Sequence, residues 1–252
     1  MTKPILQVQN LKKIFTKAKG GQDSFVAVDG VSFHIAPGEC LGLIGESGSG
    51  KSTAAYLIAR LLDPTEGQIF LDGEDVTNAD VHAVCRKVQM VFQSPQESFD
   101  PRRTLGDGIG ESLRNAGKNA AEIREEVARL LEAVELSSEL ANCYPHEVSG
   151  GQCQRAAIAR ALAIQPKLLL CDEATSALDV TVQAEIVALL SRLMRERDMA
   201  CLFICHDIAL AQNFCNRLLV MYRGRIVEEE TPDEIIQSPK QDYTKMLIES
   251  IL

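Results

Sequence analysis

The chain has 252 residues, 46% of them hydrophobic and 24% charged, which is ordinary for a globular protein large enough for one full core, with or without an insertion. A net charge of −9 argues against nucleic acid or anionic lipid as the main partner. No apolar run approaches the ~20 residues that span a bilayer, and the opening Met1-Thr-Lys-Pro-Ile-Leu-Gln7 has no secretory apolar region, so a cytoplasmic protein is expected.

The first 44 residues carry β-type patterns. Strands are expected at Leu6–Gln9, Val26–Val28 and Val31–Ile35, with a Gly-bearing loop over Thr16–Ser24. Phe15 ends Leu11–Phe15 and has two readings, packing under a sheet or stacking on a flat ring. Ala36-Pro-Gly-Glu39 is a turn leading into the apolar run Cys40–Ile44, a buried strand.

Directly after that strand comes Gly45-Glu46-Ser47-Gly48-Ser49-Gly50-Lys51-Ser52-Thr53, which fits G-x-x-x-x-G-K-[ST]. Glycines let the backbone turn tightly enough to aim successive N–H groups at phosphate oxygens. Lys51 would reach the β- and γ-phosphates, and the Ser52 hydroxyl would occupy one Mg²⁺ position. The stretch Lys51–Leu62 lacks Gly and Pro and reads as a helix with its N-terminus towards the anion. A chance match is on the order of one in a hundred for average composition, so a nucleotide site is expected.

Gly67–Leu71 and Val88–Phe92 read as further strands, the second followed by Gln93 and stopped by Ser94-Pro95. Helical spacing then dominates. Helices are expected at Gly106–Asn115 and at Ala120–Leu136, the latter with Ile123, Val127, Leu130, Leu131 and Val134 on one face. Roughly 94–155 is therefore taken as a helical insertion in an α/β core formed by 1–93 and 156–230. The core continues as strand Lys167–Cys171, helix Val180–Arg197, strand Ala200–Cys205, helix Ile208–Phe214 and strands Arg217–Met221 and Arg225–Val227. Such alternation implies a mostly parallel sheet flanked by helices. Helices near Pro232–Gln237 and Gln241–Ile251 fill the tail, 231–252. The eight cysteines include no C-x-x-C pair and read as reduced, mostly buried thiols. His34, His82 and His146 read as structural or exposed.

Leu168-Leu-Leu-Cys-Asp172-Glu173 is an apolar strand ending in two acids, the form of a Walker B segment. Asp172 would complete the Mg²⁺ site through hydration waters, and Glu173 would polarise the attacking water. Two solvated acids capping the next helix are the alternative. Val148-Ser149-Gly150-Gly151-Gln152 opens an alanine-rich helix, Cys153–Ala163. Alone it could be a helix cap or an anion site.

In combination, Gly45–Thr53, Gln93, Ser149–Gln152, Asp172-Glu173, Ser176–Asp179 and His206 stand in the order of ABC transporter ATPases, and the resemblance spans nearly the whole chain. It implies the ABC ATPase fold: a P-loop core, an N-terminal antiparallel β part and an inserted α-helical subdomain. It implies ATP and Mg²⁺, with Phe15 as the adenine-stacking aromatic and Gln93 as the glutamine sensing Mg²⁺ and water. Ser149, Gly150, Gly151 and Gln152 would be the signature that meets the γ-phosphate held by a second ATPase subunit, Val148 replacing the usual Leu. Asp179 would lie at that seam, and His206 would contact the γ-phosphate. Val91–Arg102, Tyr144–Gly151, Ala177–Gln183 and Tyr243–Ser250 resemble the peptide/nickel importer group. That group implies permease partners, an extracytoplasmic binding protein and a place on the cytoplasmic side of the membrane. An ABC-type ATPase acting on nucleic acid or ribosomes would carry coiled-coil or zinc insertions, which this sequence lacks. A small-molecule kinase would leave Ser149–Gln152 and His206 without a role.

Overall fold

Alternating apolar side chains along short strands build two sheets that share one core. The computed structural model describes residues 3–16, 24–176 and 178–249. Residues 17–23 of the expected loop, Ala177 and the last three residues lie outside that part. The first sheet is antiparallel, order β2-β1-β4-β5, formed by β1 (Leu6–Thr16), β2 (Ser24–Ile35), β4 (Glu66–Leu71) and β5 (Glu74–Asp75). β1 runs well past the expected Leu6–Gln9, and β2 is one long strand where the sequence suggested two pieces, with register shifts between Val8 and Ile14 absorbing the irregularity.

The second sheet, order β10-β9-β3-β8-β7-β6, comprises β3 (Cys40–Ile44), β6 (Val88–Val91), β7 (Leu168–Asp172), β8 (Ala200–Ile204), β9 (Arg217–Tyr222) and β10 (Arg225–Glu230). Its pairs are parallel except β10 against β9. β3, β7 and β8 are buried at every residue, as expected of parallel strands covered on both faces. Leu41, Leu43, Leu168, Leu170, Leu202 and Ile204 pack towards the antiparallel sheet and α1 (Lys51–Ile58). Ile44, Leu169, Cys171, Cys201 and Phe203 pack into a second cluster on the other face.

That second face is covered by helices. After α2 (Val81–Cys85) and β6 come α3 (Leu105–Ile109), α4 (Glu111–Asn115), α5 (Ala120–Ala133) and α6 (Gly150–Leu162). The single helix expected over 106–115 breaks at Gly110, where a Cβ would sit 2.6 Å from Ile123 Cγ2, so the close approach to α5 needs glycine. α7 (Val180–Arg197), α8 (Ile208–Phe214), α9 (Pro232–Gln237) and α10 (Asp242–Glu249) complete the layer. All eight cysteines are free thiols, six of them buried. Among the described residues no helix is long and apolar enough to cross a membrane.

Candidate nucleotide-binding site

Parallel strands end in the same direction, so the loops after β3, β6, β7 and β8 gather at one edge of the sheet, the usual place for a ligand in such folds. Gly45–Gly50 follows β3, Gln93 follows β6, Asp172-Glu173 ends β7 and His206 follows β8.

Gly45–Gly50 is shaped by what presses on it. Gly45 has φ +150° and Gly50 φ +109°; a Cβ on either would lie 2.2 Å from a carbonyl oxygen, of Met221 and Ala27 respectively. The Gly224 N–H donates to Ser49 O at 2.8 Å, fixing the loop to the β9–β10 hairpin. Among the described residues, buried Ser49 has no hydrogen-bond partner for its Oγ. Lys51 is buried and turned back on the loop, its Nζ donating to Gly45 O and Glu46 O, both at 2.8 Å. Burial pulls its pKa below the usual lysine value, against the opposing charges of Glu173 and Asp172. Among the described residues these two carbonyls are its hydrogen-bond partners, and both are exchangeable for other oxygen acceptors.

Ser52 Oγ donates to Asp172 Oδ1 at 2.9 Å, joining the start of α1 to the end of β7. Burial raises the Asp172 pKa, offset in part by the Ser52 hydroxyl. Glu173 adopts a left-handed backbone, φ +48°, uncommon for a residue with a side chain, and its N–H donates to Ile204 O at 3.0 Å. This turn carries Glu173 away from Asp172 and places its Oε1 3.9 Å from exposed His206 Nδ1. Gln93 Nε2 donates to Ser176 Oγ at 3.3 Å, and Ser176 Oγ donates to Glu173 O at 3.0 Å. Two depressions meet at Ser52. One, of about 210 Å³, is lined by Ser47, Gly48, Gly50, Lys51, Thr53 and Glu173; the other, about 430 Å³, by Tyr56, Gln93, Ser94, Arg160 and Asp172.

Phe15 is 40% exposed at the open end of β1–β2, with Lys13 Nζ 5.2 Å from its ring centre. Directly opposite in the register is Phe25, 61% exposed, and it is Phe25 that borders the phosphate depression. Sequence reading missed Phe25, whose place opposite Phe15 is set by the β1–β2 register and by no local pattern.

Ser149–Gln152 and Asp179 stand apart from both depressions. Ser149 caps α6: its Oγ accepts from Gln152 N–H at 3.2 Å, and Gln152 Oε1 accepts from Ser149 N–H at 3.0 Å, a reciprocal capping box. Ser149 and Gly150 remain exposed. Asp179 caps α7, accepting from Val182 N–H at 3.1 Å. Arg155 of α6 pairs with Glu135 at 2.6 Å and Glu185 at 3.1 Å, while Arg192 of α7 pairs with Glu135 at 3.1 Å. At the far end of α6, Arg160 donates to Ser98 O and stands 5.2 Å from the Phe99 ring centre. One rigid helix thus joins the Gln93 cleft to Ser149.

A phosphate loop on β3, a strand-end aspartate paired to its serine and a neighbouring carboxylate define a P-loop nucleotide hydrolase. An ABC transporter family model matches residues 28–176. The oligopeptide transport ATP-binding protein OppF of Bacillus subtilis (strain 168) is 43% identical, aligned over 100% of this chain and 83% of its own length. OppF of Escherichia coli (strain K12) is 42% identical over 99% and 78%. Among solved structures, the dimeric post-hydrolysis state of the ATP-binding cassette MJ0796 with ADP and Pi has TM-score 0.81 at 32% identity, covering 90% of this chain and 98% of that one. CbiO1 from Clostridium perfringens, part of the cbiONQ complex, has TM-score 0.82 at 27% identity over 93% and 91%. The chain belongs to the ABC transporter family, as an ATP-binding and ATP-hydrolysing subunit.

Proposed function

We propose that this subunit powers a peptide importer, through ATP-driven closure of two ATPase subunits head to tail. The observation that carries the reading is the split of the motifs. Gly45–Thr53, Asp172, Glu173, Gln93 and His206 converge on one edge, while exposed Ser149, Gly150 and Asp179, with half-buried Gly151 and Gln152, lie outside both depressions. Phosphate-facing groups that do not meet within one chain require a second. The dimeric cassette among the structural neighbours supports this arrangement.

Within one site, the Gly45–Gly50 amides, Lys51 and Thr53 hold the phosphates. Phe15 stacks on the adenine, with Phe25 beside it. Ser52, Asp172 and Gln93 would hold Mg²⁺. The donor set fits that ion: Ser52 and Asp172 are already joined, and Mg²⁺ completes its shell with substrate phosphates and water, not an all-protein cage. When bound, it neutralises charge on the β- and γ-oxygens. Glu173 accepts a proton from the attacking water, and His206, 3.9 Å from it, contacts the γ-phosphate and keeps the pair aligned.

Closing is favoured because each γ-phosphate then touches one subunit's Lys51 and the partner's signature; hydrolysis removes that shared contact. The helical part, 94–155, carries the motion through α6 to permease subunits, so the protein sits on the cytoplasmic side of the membrane. The second ATPase subunit is an identical or related chain, and an extracytoplasmic binding protein delivers cargo. The OppF names favour peptide over nickel as that cargo. Nucleic acid has no part in the cycle. The test is Glu173→Gln: it keeps Mg·ATP affinity and loses turnover, and normal hydrolysis by this variant overturns the assignment of Glu173.

A further inference from the structure

The phosphate loop is held from outside by the C-terminal helix. Tyr243, in the first turn of α10, accepts a hydrogen bond on its Oη from the Glu46 N–H at 3.0 Å. Its ring stacks on Tyr222 at the end of β9, centroids 4.1 Å apart and planes inclined by 28°. Tyr222 adjoins Met221, the residue whose carbonyl presses on Gly45, and the Arg223 guanidinium lies 5.0 Å from the other ring. The helix is fixed at its own start. Buried Glu228 of β10 accepts from the backbone N–H groups of Lys240 at 2.8 Å and Gln241 at 3.1 Å. Leu247 and Ile248 bury its apolar side in the core. A chain of fixed groups therefore runs from β10 through α10 to one amide of the loop.

The Gly45–Glu46 peptide is gripped on both sides. Its N–H donates to Tyr243 and its carbonyl, Gly45 O, accepts from Lys51. When Lys51 turns to a phosphate, Gly45 O loses the ammonium and Tyr243 still holds that peptide by its N–H. Burial raises the pKa of the phenol, the Glu46 N–H acting the other way, so the hydroxyl is neutral at working pH.

We infer that Tyr243 is a positioning residue for nucleotide binding, holding the Gly45–Glu46 peptide of the phosphate loop while Lys51 changes partners. The inference rests on the ATP-binding reading of Gly45–Thr53 and adds a residue 197 positions away from the loop.

The test is Tyr243→Phe in the full-length chain, which keeps the ring stack and removes only the hydroxyl. Equilibrium titrations use Mg·ATP and, separately, inorganic triphosphate, which has no base. Losing one hydrogen bond should weaken both by roughly fivefold, with the number of sites per chain unchanged. Unchanged Kd for both probes overturns the inference. So does a fall in site number at unchanged Kd, which marks a fold defect and no action on the loop. Should that variant fail to fold, Tyr222→Leu removes the stack under Tyr243 and carries the same two outcomes. Wild-type chain that binds neither probe would sink the ATP-site reading itself, a result separate from any effect of Tyr243.

Discussion

Gly50→Ala puts the shape of the phosphate loop to a quantitative test. Gly50 has φ +109°, and its added methyl would land 2.2 Å from Ala27 O and 2.9 Å from Met221 Cε. The backbone conformation alone costs an alanine about 1–3 kcal/mol, and pushing β2 backbone aside adds about 1–3 kcal/mol. A middle figure of about 4 kcal/mol, acting on the geometry that ATP must find, weakens binding by roughly 700-fold. Gly48→Ala is the internal control. Gly48 also has positive φ, +79°, but no described atom lies within 4 Å of its added methyl, so only the backbone term of about 2 kcal/mol applies and the loss is roughly thirtyfold. Titration of both variants with a fluorescent ATP analogue, alongside thermal melts, reads the two terms apart. Equal affinities for Gly50→Ala and Gly48→Ala would refute the steric reasoning, and wild-type affinity for both would remove the loop from the binding site.

Asp172→Asn should separate stability from function. Burial raises the Asp172 pKa, so its stabilising contribution is complete below the ordinary carboxylate range and is lost as pH rises through the raised value. Above that value, with Mg²⁺ withheld, the variant should melt higher by about 2 °C; at pH 4 the difference should shrink, and a lower melting temperature at neutral pH contradicts this. The same variant should lose Mg²⁺-dependent hydrolysis. Phe15→Ala should weaken ATP and GTP alike by roughly tenfold, because stacking tolerates any base, and leave inorganic triphosphate unaffected. If Phe25→Ala produces that pattern and Phe15→Ala does not, the stacking role moves across the hairpin.

The parts of the site that were legible in the sequence are those whose chemistry is local. Gly45–Thr53 lies between a five-residue buried strand and a helix, so neighbours in sequence fix its geometry. Helices Val180–Arg197, Ile208–Phe214 and Pro232–Gln237 fell where periodicity and capping residues put them. Ser149 takes its capping reading, the reciprocal box satisfying the helix end, and the residue stays exposed. Contacts made across long loops left no such trace. Tyr243 reaches Glu46 through the registry of β9 and β10, and Phe25 gains its place from pairing with Phe15. The left-handed turn at Glu173 follows from the Ile204 carbonyl on the adjacent strand, which no local pattern announces. The break at Gly110 is likewise set by α5 pressing against it.

Sedimentation of the Glu173→Gln chain measures the proposed ATP-driven association most directly. With Mg·ATP at saturation, and with its natural companion chain if the pair is mixed, the material should move as a two-subunit particle. Replacing ATP by ADP, or adding Ser149→Arg to place a bulky cation at the exposed signature, should return it to single chains. A single-chain species throughout, companion present and nucleotide bound, would contradict the account.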